Sequence, residues 1–152
     1  MNLESNMKIK QKIIFVKKQL ENNNFTVLDK NLSEGVVYKI PFQGKLKEDG
    51  YECSFLYLTK NSSIKEHIHT EDIELYRPIM GVLSVDGIIM DENYCLLDDK
   101  HSIDKTEEDT IVETVKISNK YLEKQGIYTD CWYQMNELDK IYQLNDNNII
   151  KK

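Results

Sequence analysis

Between Phe25 and Ser118 the chain is a succession of short runs rich in Val, Ile, Tyr, Phe and Thr, broken every few residues by Gly, Asn, Asp or Lys. β-Branched and aromatic residues fit a pleated surface and the breakers are turn formers, so the runs read as strands. They span Thr26 to Leu28, Val36 to Phe42, Tyr51 to Thr59, Ile64 to His69, Ile73 to Met80, Val82 to Val85, Ile88 to Met90, Tyr94 to Leu97 and Thr110 to Ile117. Between Val85 and Ile88 stands Asp86-Gly87, a pair that tolerates positive φ at both positions and suits a tight hairpin. No helical pattern separates the strands, so the expected class is all-β, an antiparallel sandwich or barrel.

Both flanks carry helical signals. After Ser5, a possible cap, Ile9, Ile13, Val16 and Leu20 make one apolar stripe on a lysine-rich segment that runs to Asn22-Asn23-Asn24. At the other end Trp132, Met135, Leu138 or Asp139, and Tyr142 predict a short helix, with one helical turn at Tyr121 to Lys124. The 152 residues fit a single domain. Its expected parts are an N-terminal helix packed on the barrel (1–24), the barrel itself (25–118) and a partly helical extension covering one sheet (119–152).

Composition removes several function classes. Twenty basic against 26 acidic side chains leave a net charge of −6, which lacks the basic footprint of a general nucleic-acid binder. No apolar run approaches the ~20 residues that cross a bilayer. Met1 to Lys12 has no apolar core of a secretory signal, so a cytoplasmic location is expected. Cys53, Cys95 and Cys131 are widely spaced and form neither a C-x-x-C pair nor a disulfide framework. Glycine-rich nucleotide loops and the G-x-S-x-G nucleophile turn are absent as well.

The chemistry concentrates on three histidines. His67-Ile68-His69 ends a predicted strand, Glu74 follows after four intervening residues, and Gly81 after six more. Alternate strand residues share a face, so His67 and His69 can take adjacent positions on one ion. Two imidazoles and a carboxylate suit Fe(II), Mn(II), Ni(II) or Zn(II) and leave positions open for water or substrate.

The series Asn61, His67, His69, Glu74, Gly81 resembles the first motif of the cupin superfamily, G-x5-H-x-H-x3 or 4-E-x6-G, with Asn61 in place of the leading glycine. Asn also visits the left-handed region, so that departure is mild. The resemblance covers roughly Glu52 to Ser118 and implies a small antiparallel jelly-roll barrel holding one divalent metal (Fe, Mn, Ni or Zn). The second cupin motif is degenerate: Leu96, Asp98 and Lys105 replace its Pro, Gly and Asn. Only His101 survives, expected on a loop, and the resemblance makes it the fourth ligand beside His67, His69 and Glu74.

With Glu74 facing the lumen, Tyr76 faces it too, as a proton donor or as filler, while Arg77 faces outward unless Pro78 introduces a bulge. Tyr51, Cys53, Phe55 and Tyr57 share one face of their strand, either lining the pocket or packing in the core. The resulting expectation is a metal-dependent enzyme on a small soluble metabolite, a sugar-type isomerase or epimerase, or an Fe-dependent dioxygenase, with Glu74 and Tyr76 as catalytic candidates. The alternative is a non-catalytic metal-binding or sensing barrel, whose lumen those aromatic side chains would fill. The expected partners are a small-molecule ligand and a second copy of the chain, since barrels of this kind have sheet edges to cover; His69→Ala is expected to abolish metal binding and spare the fold.

Overall fold

The computed structural model describes residues 3–68, 72–90, 95–96, 100–120 and 131–149. Its strands are β1 (Thr26–Val27), β2 (Ser33–Glu34), β3 (Val37–Gln43), β4 (Tyr51–Leu58), β5 (Ser63–Ile68), β6 (Asp72–Met80), β7 (Ser84–Val85), β8 (Ile88–Ile89), β9 (Cys95–Leu96), β10 (Lys100–Ile103) and β11 (Thr110–Ser118). They pair antiparallel in two sheets, one ordered β1-β3-β4-β11-β6-β9 and the other β2-β5-β10-β7-β8. Two such sheets closing on a shared core make a jelly roll, as expected. The helices are α1 (Leu3–Glu21), the single turn α2 (Leu46–Asp49) and α3 (Cys131–Asn148). Among the described residues, no helix is long and apolar enough to cross a membrane.

The six-stranded sheet is buried on both faces. Toward the second sheet, Val37, Leu56, Leu58, Tyr76 and Val112 meet Ile64, Val85 and Ile103 in one cluster. On its other face, Ile40, Phe42, Cys53, Phe55, Leu75 and Val115 pack against Val16 of α1 and Ile141 and Tyr142 of α3. The face shared by Tyr51, Cys53, Phe55 and Tyr57 therefore belongs to the helix side, and it does not line the pocket. One edge-on and two tilted ring contacts among Phe15, Phe42 and Phe55, with centroids 5.3–6.0 Å apart, hold α1 on this face. Ser5 is no cap, because the helix already begins at Leu3. The exit is as read: Asn23 takes a left-handed φ of 60°, which stops the helix in the asparagine run.

Buried beneath the helices lies a charged cluster. Glu113, fully buried on β11, accepts from Lys12 Nζ (2.9 Å), Arg77 Nε (2.9 Å) and Asn145 Nδ2 (2.9 Å). Asp146 bonds to Lys12 and, at 2.9 Å, to Arg77. The Arg77 guanidinium also lies 4.3 Å from the centre of the Tyr142 ring. Arg77 thus points away from the lumen as expected, and it ends between the buried Glu113 and the half-buried Asp146. Burial pushes the Asp146 carboxyl up, and the stronger combined pull of Arg77 and Lys12 leaves it below its ordinary range.

Local turn chemistry explains two motif positions. Asn61 has φ 65°, so it supplies the left-handed turn that glycine gives in the motif. Gly81 has φ +79°, and a Cβ there would lie 2.6 Å from the Asp109 carbonyl oxygen. Both the backbone conformation and the close approach exclude a side chain. Gly81→Ala is expected to destabilise the fold by about 1–3 kcal/mol in urea unfolding; an unchanged midpoint would contradict this account of the glycine. Asp86 and Gly87, with φ of 51° and 82°, form the hairpin turn between β7 and β8.

Candidate metal centre

The sequence places His101 on a loop, but the structure places it on strand β10, with His67 of β5 as its Cα partner. The register slips next to this pair: His101 and Ile103 are two residues apart, while their partners His67 and Ile64 are three apart. This bulge turns both Ile64 and His67 inward, which strict alternation on β5 forbids. Glu74 reaches the same space from β6 of the opposite sheet, so the site bridges the two layers.

His67, Glu74 and His101 bring one potential ligand atom each to within 4.8 Å of one another. His101 and Glu74 are buried, at 1% and 3% exposure, and His67 is half-buried. The two imidazole rings meet edge-on with centroids 4.3 Å apart, and His101 Nε2 lies 3.1 Å from Glu74 Oε1. His69, together with Thr70 and Glu71, lies outside the described residues, as do Tyr121 to Lys124.

Chemically the group fits a divalent ion. Two donors bound at about 2.1 Å to one ion are at most about 4.2 Å apart, so the three residues close on an ion with small side-chain adjustments. His67 Nδ1 is 2.8 Å from the Lys65 carbonyl oxygen. A carbonyl can only accept, so Nδ1 carries the hydrogen and Nε2 keeps its lone pair for the site, the usual orienting arrangement of a metal-binding imidazole. Between His101 and Glu74 the carboxylate accepts, so a hydrogen sits where a cation would replace it.

Tyr76 lies beside this group, buried, with its ring centroid 5.7 Å from that of His101. Burial, followed by the charge of Glu74 and a hydrogen bond to it, pushes the phenol well above its ordinary range. Tyr76 therefore keeps its proton and donates to Glu74, which suits orientation of the carboxylate better than proton transfer. Cys53, on the helix side, is inert for a different reason: burial pushes its thiol up to about 12.

A cavity of about 150 Å³ opens onto His67, Glu74 and Tyr76. Ser54, Thr114, Lys39 and Lys116 also line it, none of them singled out in the sequence. Thr114 and Ser54 share a 2.7 Å hydroxyl hydrogen bond, and Lys116 Nζ is 3.5 Å from Glu74 Oε2. The available signal was the two-residue spacing of Val112, Thr114 and Lys116 on β11, which puts two polar groups on its lumen face.

No family model and no curated protein sequence matches the chain. Solved structures do share its fold. One is named as a predicted oxalate decarboxylase from Thermotoga maritima, 20% identical, covering 62% of this chain and 92% of that one with a TM-score of 0.53. Another is an acetylacetone dioxygenase from Acinetobacter johnsonii, 17% identical, covering 63% of this chain and 69% of that one with a TM-score of 0.50. At these identities the likeness is one of fold. The structural neighbours are cupin-family proteins, and the chain, with its two antiparallel sheets and its helices on one face, has the cupin jelly-roll fold.

Proposed function

We propose that this protein binds one divalent metal through His67, Glu74 and His101 and acts as an enzyme on a small oxygen-bearing metabolite, as an Fe-dependent dioxygenase rather than an isomerase. The observation that carries the reading is the convergence of two imidazoles and one carboxylate within 4.8 Å at a cavity. Two histidines and a carboxylate with open positions are the donor set of non-haem Fe(II) oxygenases. When bound, the metal supplies Lewis acidity or redox chemistry that side chains lack.

The chain's own residues support oxygen chemistry over isomerisation in one respect. An isomerase needs a side chain that moves a proton at the substrate carbon; of the two candidates, Tyr76 holds its proton tightly and Glu74 belongs to the metal-binding group. The name of one fold neighbour, an acetylacetone dioxygenase, accords with this choice. The non-catalytic reading drew its force from a lumen filled by aromatic side chains, and the β4 aromatic face packs instead beneath the helices.

Elemental analysis of protein purified without chelator tests the proposal. The expected result is close to one iron per chain. Stoichiometric zinc, nickel or manganese would overturn the oxygenase assignment in favour of isomerase or binding chemistry. A protein that neither retains nor takes up a divalent ion would overturn the metal reading altogether.

A further inference from the structure

We infer that the cavity beside the metal centre is a subsite for a short hydroxy- or oxo-carboxylate, whose carboxylate is held by Lys116 while its neighbouring oxygen faces the metal. The inference rests on the metal reading above and goes beyond it by naming the substrate class and the residue that selects it.

Three observations carry it. Lys116 is a lumen-facing lysine on the central strand β11, with a side chain only 27% exposed. Lysine is seldom placed on an inward face unless a negative partner is provided. Its ion-pair partner is Glu74, at a loose 3.5 Å, which is also a member of the metal-binding group, while Glu52, opposite it on β4, is engaged by Lys39. The other lysine of the cavity differs: Lys39 Nζ is 3.2 Å from Glu52 Oε2, so its charge is already balanced.

Charge balance follows from this arrangement. With a divalent ion at His67, Glu74 and His101, Glu74 is the one carboxylate among the described cavity-lining residues. It faces both a dication and the Lys116 ammonium. The space between them then carries uncompensated positive charge inside a partly apolar cavity, where an anion is the complementary ligand. The Ser54–Thr114 hydroxyl pair adds neutral hydrogen-bonding capacity beside it.

Size sets the rest. A cavity of about 150 Å³ is comparable to one that holds a benzene molecule. That admits a carboxylate with a short carbon skeleton and one further oxygen.

The test compares lactate with acetoin, a neutral molecule of the same heavy-atom count in which a methyl ketone replaces the carboxylate. Protein is first titrated with Mn2+ to establish loading, and each probe is then titrated into the loaded protein by calorimetry. The expected result is lactate binding at least about tenfold tighter than acetoin in the wild type, the scale of one charge-assisted hydrogen bond. Lys116→Met should remove that preference while keeping Mn2+ binding, and Lys116→Arg should retain it. Absence of Mn2+ binding would overturn the metal reading and the subsite with it. Normal loading with equal affinity for the two probes, or a preference that survives Lys116→Met, would overturn the subsite alone.

Discussion

Glu113→Ala is expected to cost about 3–5 kcal/mol of folding stability, measured by urea unfolding, because it strands buried charge and not because it removes a favourable contact. Glu113 is fully buried and accepts from Lys12, Arg77 and Asn145. Lys12 is itself 1% exposed, so without Glu113 its ammonium keeps only Asp146. An ammonium taken from water with half its compensation gone pays a desolvation penalty that packing cannot offset. Replacing the pair together, Lys12→Met with Glu113→Leu, is expected to recover a substantial part of the loss. A single-variant cost below about 1 kcal/mol would contradict this view of the cluster.

The same cluster gives a sign for acid stability. Asp146 titrates below its ordinary range in the folded chain, so its contribution is complete above the unfolded carboxylate pKa and disappears as pH falls through the lower folded value. The attachment of α1 and α3 to the barrel should therefore loosen in acid.

The second large effect concerns the candidate metal centre. His101→Ala is expected to lower divalent-metal affinity by at least about 100-fold, since it removes a donor that is buried and held by Glu74. The fold should survive, because the neighbouring hydrophobic contacts of Ile103, Val85 and Ile64 remain. Calorimetric Mn2+ titration measures the first part and thermal unfolding the second. Affinity within threefold of wild type would remove His101 from the centre.

How much of this was legible in the sequence depended on whether the determining physics was local. The Asp86-Gly87 hairpin and the Asn61 turn could be read because positive φ is decided by the residue itself. Glu74 and Tyr76 could be placed on one face because β6 pairs with β11 in unbroken register from Asp72 to Arg77. The strand around His101 could not, since Lys100–Ile103 is only four residues long and its pairing with β5 is set by partners far away in the chain. Nor could the inward turn of His67 relative to Ile64, because a bulge leaves no mark in composition.

The face of β4 was undecidable for another reason. Cys53, Ser54, Phe55 and Leu56 are all buried, since the helices cover the side that an uncovered barrel would expose to water. Polar Ser54 turns out to line the cavity while the aromatic side chains face α1. Lys12 was the least visible of all. Among nineteen lysines nothing in the sequence distinguishes Lys12, the one buried among the described residues, and only the three-dimensional approach of Glu113, 101 residues away, explains it.

The scarcity of histidine makes the central claim directly measurable. With three histidines in the chain, the imidazole region of an NMR spectrum holds few enough signals to assign by single substitution. Titrating metal-free protein with Zn2+ should shift the ring signals of His67 and His101 together, saturating at one equivalent. Signals of His67 and His101 that stay in place through several equivalents, or that move independently of each other, would contradict a shared metal centre.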